Sequence, residues 1–308
     1  MNSIGIAIHG GAGTLLETEI TADQRTAYLN ALEKAIEPAR QILLKGASSL
    51  EAVQLAIIEL EDCPLFNAGR GSVFNHEGRH EMDASLMDGK NLKAGAVCGV
   101  KNVKNPILLA RTVMDKTEHV LLTGDGAEQL GHKYGIEFED DSYFYSEQRH
   151  RQWLNLKDSE NTGLDHNVSA KKFGTVGAVA LDIYGNLAAG TSTGGMTNKK
   201  FGRIGDTPII GSGTYANNKT CAVSCTGHGE YFMKYVVAYD VSCLMEYKGL
   251  TLQQACDQVI MKKLKEAGGE GGLISIDTSG NIVFSFNSEG MYRAKGIGNQ
   301  PIEAFIFR

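Results

Sequence analysis

The sequence predicts an α+β fold, with antiparallel sheet layered against helices, on three observations. Helix and hairpin patterns fall in blocks instead of strict βαβ alternation. Residues 4–8 and 174–181 are nearly unbroken apolar runs, the mark of strands covered on both faces. Glycine makes up 37 of 308 residues against only 5 prolines, and it clusters beside apolar runs, which is not a linker composition. The clusters HGGAG (9–13), NAGRG (67–71), STGG (192–195), CTGHG (225–229) and GGEGG (268–272) suggest a site lined by main chain.

The elements follow in order. The run at 4–8 ends at His9-Gly10-Gly11 and reads as a buried first strand. Thr21 with Gln24 forms a capping box, and Leu29, Leu32, Ile36, Ala39 and Leu43 step by three or four until Gly46 closes the helix. Ser48 with Glu51 opens a second helix, striped by Val53, Ala56, Ile57 and Leu60. After the loop CPLFNAGRG, strands are expected at 82–87 and 94–100, with Asp88-Gly89 as the turn between them. Helices follow at 106–116 and 126–133. The stretch 140–172 is polar and aperiodic, and it is expected to be a flexible linker or lid inside one domain spanning 1–308. Strands at 174–181 and 187–191 flank a Tyr184-Gly185-Asn186 turn, and 221–225 is another strand. Helices at 230–247 and from Thr251, with Gln254 completing a capping box, precede a strand pair at 273–277 and 282–286.

Composition narrows the function. Net charge is -6, from 36 acidic and 30 basic residues, so no basic footprint recommends nucleic acid or an anionic membrane. No apolar run approaches the ~18 residues of a spanning helix. The opening MNSIGIAIHGG lacks the pattern of a signal peptide, so a cytoplasmic setting is expected. Six cysteines without a CxxC are then free thiols, with Cys221 and Cys225 packed on one strand face.

Several motifs are weighed on their chemistry. His76-Glu77-Gly78-Arg79-His80 matches H-E-x-x-H, but zinc chemistry needs both histidines on one face of a stable helix. Gly78 interrupts and no amphipathic pattern flanks it, so a turn is expected. No phosphate-cradling glycine loop and no G-x-S-x-G elbow occurs. Thr175, Thr193 and Thr226 sit at glycine-rich strand ends, where they read either as plain β-formers or as hydroxyl chemistry. Arg203 and Asp206, in GRIGD, read either as an exposed ion pair or as handles for the carboxylate and ammonium of an amino acid.

Taken in order, HGGAG, EDCPLFNAGRGSVFN, MDASLMDG, GTVGAVALD, STGGMTNK, GRIGD and SCTGHGE resemble the plant-type L-asparaginases. These double as isoaspartyl (β-aspartyl) peptidases and are N-terminal nucleophile hydrolases. The resemblance covers nearly the whole chain and implies a four-layer αββα sandwich, made as a precursor that cuts itself. Here the cut falls at Gly174–Thr175, giving an α subunit of 1–174 and a β subunit of 175–308, and such αβ units pair into dimers. It implies Thr175 as nucleophile, Thr193 as the hydroxyl that orients it, and Thr226 with the Gly227 N–H as oxyanion hole. Arg203 would clamp the substrate α-carboxylate and Asp206 its α-ammonium, with the Gly229 carbonyl alongside and Asn67 reaching the same pocket. A structural sodium loop is implied through carbonyls of Leu60, Glu61, Cys63, Phe66, Ala68 and Arg70, with no other cofactor. His228 stands where some members have threonine, and Ile204 replaces a commoner valine. The implied substrates are small: L-asparagine or a β-aspartyl dipeptide, releasing L-aspartate. A glycosylasparaginase-like amidase, from a lysosomal or secreted group, and a zinc hydrolase are the alternatives.

Overall fold

The structure, a computed structural model, describes residues 4–13, 17–157 and 174–308. Strand β1 (Gly5–Gly13) leads into two helices, α1 (Ala22–Leu44) and α2 (Ser49–Glu61). Both capping boxes form: the Thr21 and Ser48 hydroxyls accept from the amides of Gln24 and Glu51, whose side chains return the bond. The expected hairpin is β2 (Met82–Asp88) and β3 (Ala94–Val100), followed by α3 (Pro106–Lys116), β4 (Leu121–Thr123) and α4 (Gly124–Tyr134).

The expected linker is corrected here. Its first half is helical, as α5 (Asp141–Phe144) and α6 (Glu147–Lys157). Phe144, Arg149, Trp153 and Leu156 are buried, and Arg149 Nε donates to the Gly71 carbonyl at 3.2 Å. A few anchors on the loop beneath hold these helices, not a continuous apolar stripe, so no period shows in the sequence. The rest of that stretch, 158–172, lies outside the described residues.

The second half runs β5 (Val176–Leu181), β6 (Leu187–Thr193), β7 (Thr214–Ala216), β8 (Cys221–Gly227), α7 (Gly229–Tyr235), α8 (Val237–Lys248) and α9 (Leu252–Asp257). A π-helical segment, Gln258–Leu264, leads to β9 (Gly271–Asp277), β10 (Ile282–Phe286), β11 (Gly290–Ile297) and β12 (Glu303–Phe307). The single helix expected at 230–247 is broken at Val236, which takes φ +49°. The break frees the Ala238 and Tyr239 amides to donate to the carbonyls of Ser212 and Gly211, at 3.2 and 2.8 Å. Tertiary hydrogen bonds override the helical pattern there.

Eight strands form one sheet in the order β12-β11-β1-β5-β6-β2-β3-β4, and four form a second, β10-β9-β8-β7. Among the strand pairs of the described residues, β3–β4 alone is parallel. Helices α1, α2 and α3 cover the outer face of the large sheet, α8 and α9 that of the small one, and the inner faces meet. This is the α+β sandwich of four layers that was expected. Strand β5 shows why its run is unbroken: Ala178 and Ala180 join the core under the helices, while Val179 and Leu181 join the core between the sheets. Cys221 and Cys225 are buried free thiols on the other face of β8 from Ser224, toward α9.

Candidate active site

Period-2 geometry brings the three threonines to one end of the sandwich. Thr175 precedes β5, Thr193 ends β6 and Thr226 lies near the end of β8. The Thr175 hydroxyl donates to Thr193 Oγ1 at 3.2 Å, and Thr193 Oγ1 also accepts the Gly195 amide at 3.0 Å. Across the sheet interface, Thr226 Oγ1 accepts the Ala12 amide at 3.2 Å. The HGGAG strand therefore touches both sides of the site. A Cβ on Gly174 would stand 3.3 Å from the Gly10 carbonyl oxygen and 3.3 Å from Asn67 Cβ. Gly227, at φ +149°, lies against Gly271, where a Cβ would stand 2.4 Å from the Glu270 carbonyl oxygen.

Asn67 is close to this centre, but both ends of its amide are taken. Nδ2 donates to the Gly195 carbonyl at 2.7 Å and Oδ1 accepts the Val73 amide at 3.0 Å. It fixes the STGG turn against the loop before Val73.

Arg203, Asp206 and Gly229 come together as a group. A Cβ on Gly229 would stand 2.8 Å from Asp206 Oδ1 and 2.9 Å from Arg203 Nη2. Asp206 is buried, Oδ2 has no partner among the described residues, and burial pushes its carboxyl up to about 7 against the pull of Arg203. The exposed ion pair between Arg203 and Asp206 is not what forms. Arg203 instead pairs in bidentate fashion with Glu230, at 2.8 and 2.9 Å. His228 Nε2 lies 3.2 Å from the same carboxylate. Burial pushes the Glu230 carboxyl up, but His228 and Arg203 outweigh it and hold the group well below the ordinary range.

A family profile described as "Asparaginase" matches residues 2–306. The chain belongs to this asparaginase family. It is 48% identical to an "Isoaspartyl peptidase" of Salmonella typhimurium over 312 residues, covering 100% of both chains. It is 48% identical to an "Isoaspartyl peptidase" of Escherichia coli, covering 100% of this chain and 97% of that one. It is 42% identical to an "Isoaspartyl peptidase/L-asparaginase" of Homo sapiens, covering 94% of this chain and 92% of that one.

Elsewhere in the chain the H-E-x-x-H residues form a turn, as expected, with Gly78 at φ +75°. The two rings serve different partners: His76 Nδ1 meets Asn198 Oδ1 at 2.8 Å, and His80 Nδ1 meets Ser72 Oγ at 3.3 Å. The 60–70 loop is tightly wound. A Cβ on Gly69 would stand 2.5 Å from the Glu61 carbonyl oxygen, and one on Gly71 2.0 Å from that of Phe66. Only glycine leaves these carbonyls their room, which fits a cradle of main-chain oxygens for a monovalent cation.

Sequence reasoning missed three residues here. Glu230 closes on Arg203 from 27 positions away, a pairing no local pattern announces. Lys199 is buried behind the STGG turn, donates to the Glu81 carbonyl at 2.7 Å, and is held below its ordinary pKa by burial. His9 is buried opposite Gly177, and burial pushes its imidazole down to about 3, with the Thr175 main chain pulling weakly upward. The HGGAG motif had marked that segment for its glycines, not for its histidine.

Proposed function

We propose that this chain is an autoprocessing amidohydrolase that hydrolyses β-aspartyl dipeptides and L-asparagine and releases L-aspartate. The observation that carries the reading is the Thr175–Thr193 hydroxyl pair, set directly after Gly174, whose Thr175 begins the chain segment leading into β5. The names of the full-length relatives point the same way.

Cleavage of the Gly174–Thr175 bond would free an α-amine of pKa ~8 on the nucleophile itself. That amine takes the Thr175 hydroxyl proton, directly or through one water, so no histidine base is needed. Thr193 fixes the attacking oxygen. The Thr226 oxygen already accepts an amide, so its own proton is available to the oxyanion, together with the Gly227 N–H. Attack on the β-amide carbon gives a Thr175 ester and expels ammonia or the leaving amino acid. Water then hydrolyses the ester, returning the hydroxyl and releasing aspartate.

Asp206 offers the substrate ammonium a buried carboxylate oxygen that lacks a partner among the described residues. Glu230 holds the Nε and Nη2 edge of Arg203, which fixes the guanidinium plane and leaves its remaining N–H groups to the substrate carboxylate. Asn67 acts from behind, through the STGG turn. Sodium, held by carbonyls of Leu60, Glu61, Cys63, Phe66, Ala68 and Arg70, would steady the loop beside Asn67. Pairing of αβ units into a dimer and a cytoplasmic setting belong to the same reading, the latter supported by six unpaired cysteines.

The test is a denaturing gel with intact mass. By residue count the 33.2 kDa chain should give fragments of about 19 and 14 kDa. Thr175→Ala should give one uncut, inactive band. A wild-type cut at another bond, or none after long incubation, would remove Thr175 as nucleophile.

A further inference from the structure

The interface between the two sheets should be apolar, yet a row of polar side chains crosses it one tier below the threonines. In the large sheet, His9, Gly177, Thr191 and Ser85 stand opposite one another on four adjacent strands. In the small sheet, Ser224 stands opposite Thr214. His9, Ser85, Thr191, Thr214 and Ser224 are all fully buried. Buried hydroxyls are costly unless each finds a partner.

Here they find one another. His9 Nε2 lies 3.0 Å from Ser224 Oγ, which lies 2.7 Å from Thr191 Oγ1. Thr191 Oγ1 lies 2.5 Å from Thr214 Oγ1, which lies 2.8 Å from Ser85 Oγ, and Ser85 donates to the Thr207 carbonyl at 2.6 Å. Gly177 is what makes room: a Cβ there would stand 2.0 Å from Ser224 Oγ and 2.4 Å from His9 Nε2.

We propose that His9, Ser224, Thr191, Thr214 and Ser85 form a positioning relay that holds the nucleophile tier and the Asp206 loop in one fixed geometry. The proposal rests on Thr175 being the nucleophile. Each catalytic strand carries a relay position two residues from its site threonine, on the same face: Gly177 after Thr175, Thr191 before Thr193, Ser224 before Thr226. The far end of the row is the Thr207 carbonyl, next to Asp206. The row thus spans both sheets and fixes the separation of groups that must close on one substrate, where a 1 Å error is costly.

The row holds more contacts than protons. Thr191 Oγ1 also donates to the Gly213 carbonyl at 3.2 Å, so six contacts share four hydroxyl protons and at most one from His9 Nε2. Either neutral tautomer of His9 fits this count, and a row of fixed geometry holds the ring to one of them.

Two measurements on the matured full-length enzyme test this. The ¹⁵N spectrum of labelled histidine should show His9 neutral and in a single tautomer from pH 5 to 9, and a mixture of tautomers or an imidazolium would overturn the relay. Thr191→Val should lower kcat about 10-fold or more with KM within about 3-fold, while Thr191→Ser, which restores the hydroxyl, should stay near wild type. A Thr191→Val enzyme that loses only Tm and keeps kcat would reduce the row to packing. Should Thr191→Val not fold, Ser85→Ala breaks the distal link. It should lower kcat and give mixed His9 tautomers, and an unchanged spectrum and kcat would again overturn the relay. The tautomer is read without turnover, so a wrong nucleophile fails the gel test alone and a wrong relay fails the spectrum alone.

Discussion

Replacing Gly229 with alanine adds one methyl where the site has no room for it. The new carbon would stand 2.8 Å from Asp206 Oδ1, 2.9 Å from Arg203 Nη2 and 3.1 Å from the Asp206 amide nitrogen. Relaxed contacts of this kind lie near ~3.5 Å, so both handles must retreat by about 0.6 Å. Gly229 opens α7 without a left-handed backbone, so alanine itself is unstrained and the effect is that of the methyl alone. Arg203 is pinned by Glu230 and Asp206 is buried, so neither retreats freely. A displacement approaching an ångström costs up to ~10²-fold, so kcat/KM for β-Asp-Leu should fall about 10- to 100-fold, or roughly 1.4–2.8 kcal/mol. Cleavage at Gly174–Thr175 uses neither handle and should still go to completion. The assay is aspartate release by the matured variant, with a denaturing gel beside it. A fully cut Gly229→Ala enzyme of wild-type efficiency would show that Arg203 and Asp206 do not grip the substrate.

Arg203→Ala should mature normally yet lose ~10²-fold or more in kcat/KM, because it forfeits a charge-assisted bond and frees Glu230 to repel the substrate carboxylate. Normal efficiency in a matured Arg203→Ala enzyme would return Arg203 to a structural ion pair with Glu230. Asp206 must ionise to hold an ammonium, so kcat/KM should fall as pH drops through about 7, the value to which burial raises it. Asp206→Asn should be poorly active with a shallower acid limb, since the Thr175 amine alone then titrates. The raised value also means the folded state retains a proton that the unfolded chain releases from its ordinary pKa upward. Stability therefore declines as pH rises toward 7, and Asp206→Asn should melt above wild type at pH 8. Finally, β-Asp-Leu and asparagine should be hydrolysed, and α-Asp-Leu, which lacks the free α-carboxylate, should not. Equal turnover of both peptides would contradict the clamp. Activity should survive EDTA, because the base is an amine and the sodium loop uses carbonyls.

The local rules written in the chain were enough for much of the fold. Three capping boxes formed where Thr21, Ser48 and Thr251 announced them, because that bonding closes within four residues. The two-sided burial of β5 was legible in its unbroken run. Strands β11 and β12 were not, although β11 is the long partner of β1. Buried Arg293 breaks its apolar pattern, and the rings of Phe286 and Phe305, 4.9 and 5.1 Å from the guanidinium, are assembled only by the sheet.

The site divides along the same line. The glycine clusters marked a main-chain-lined centre, but the strands expected at 187–191 and 221–225 stopped short of Thr193 and Thr226, which share a strand face with Thr191 and Ser224 because β6 and β8 run on. Which faces meet is decided by the packing of the two sheets, and no local pattern encodes it. Packing turned the GRIGD ion pair into Arg203–Glu230, left one Asp206 oxygen without a partner among the described residues, and lined up His9 with the Ser224 hydroxyl, 215 residues away. Short-range hydrogen bonding and periodicity act through neighbours in sequence, so the chain alone determines them. Charge partners and proton counts depend on burial, which exists only once both sheets have closed.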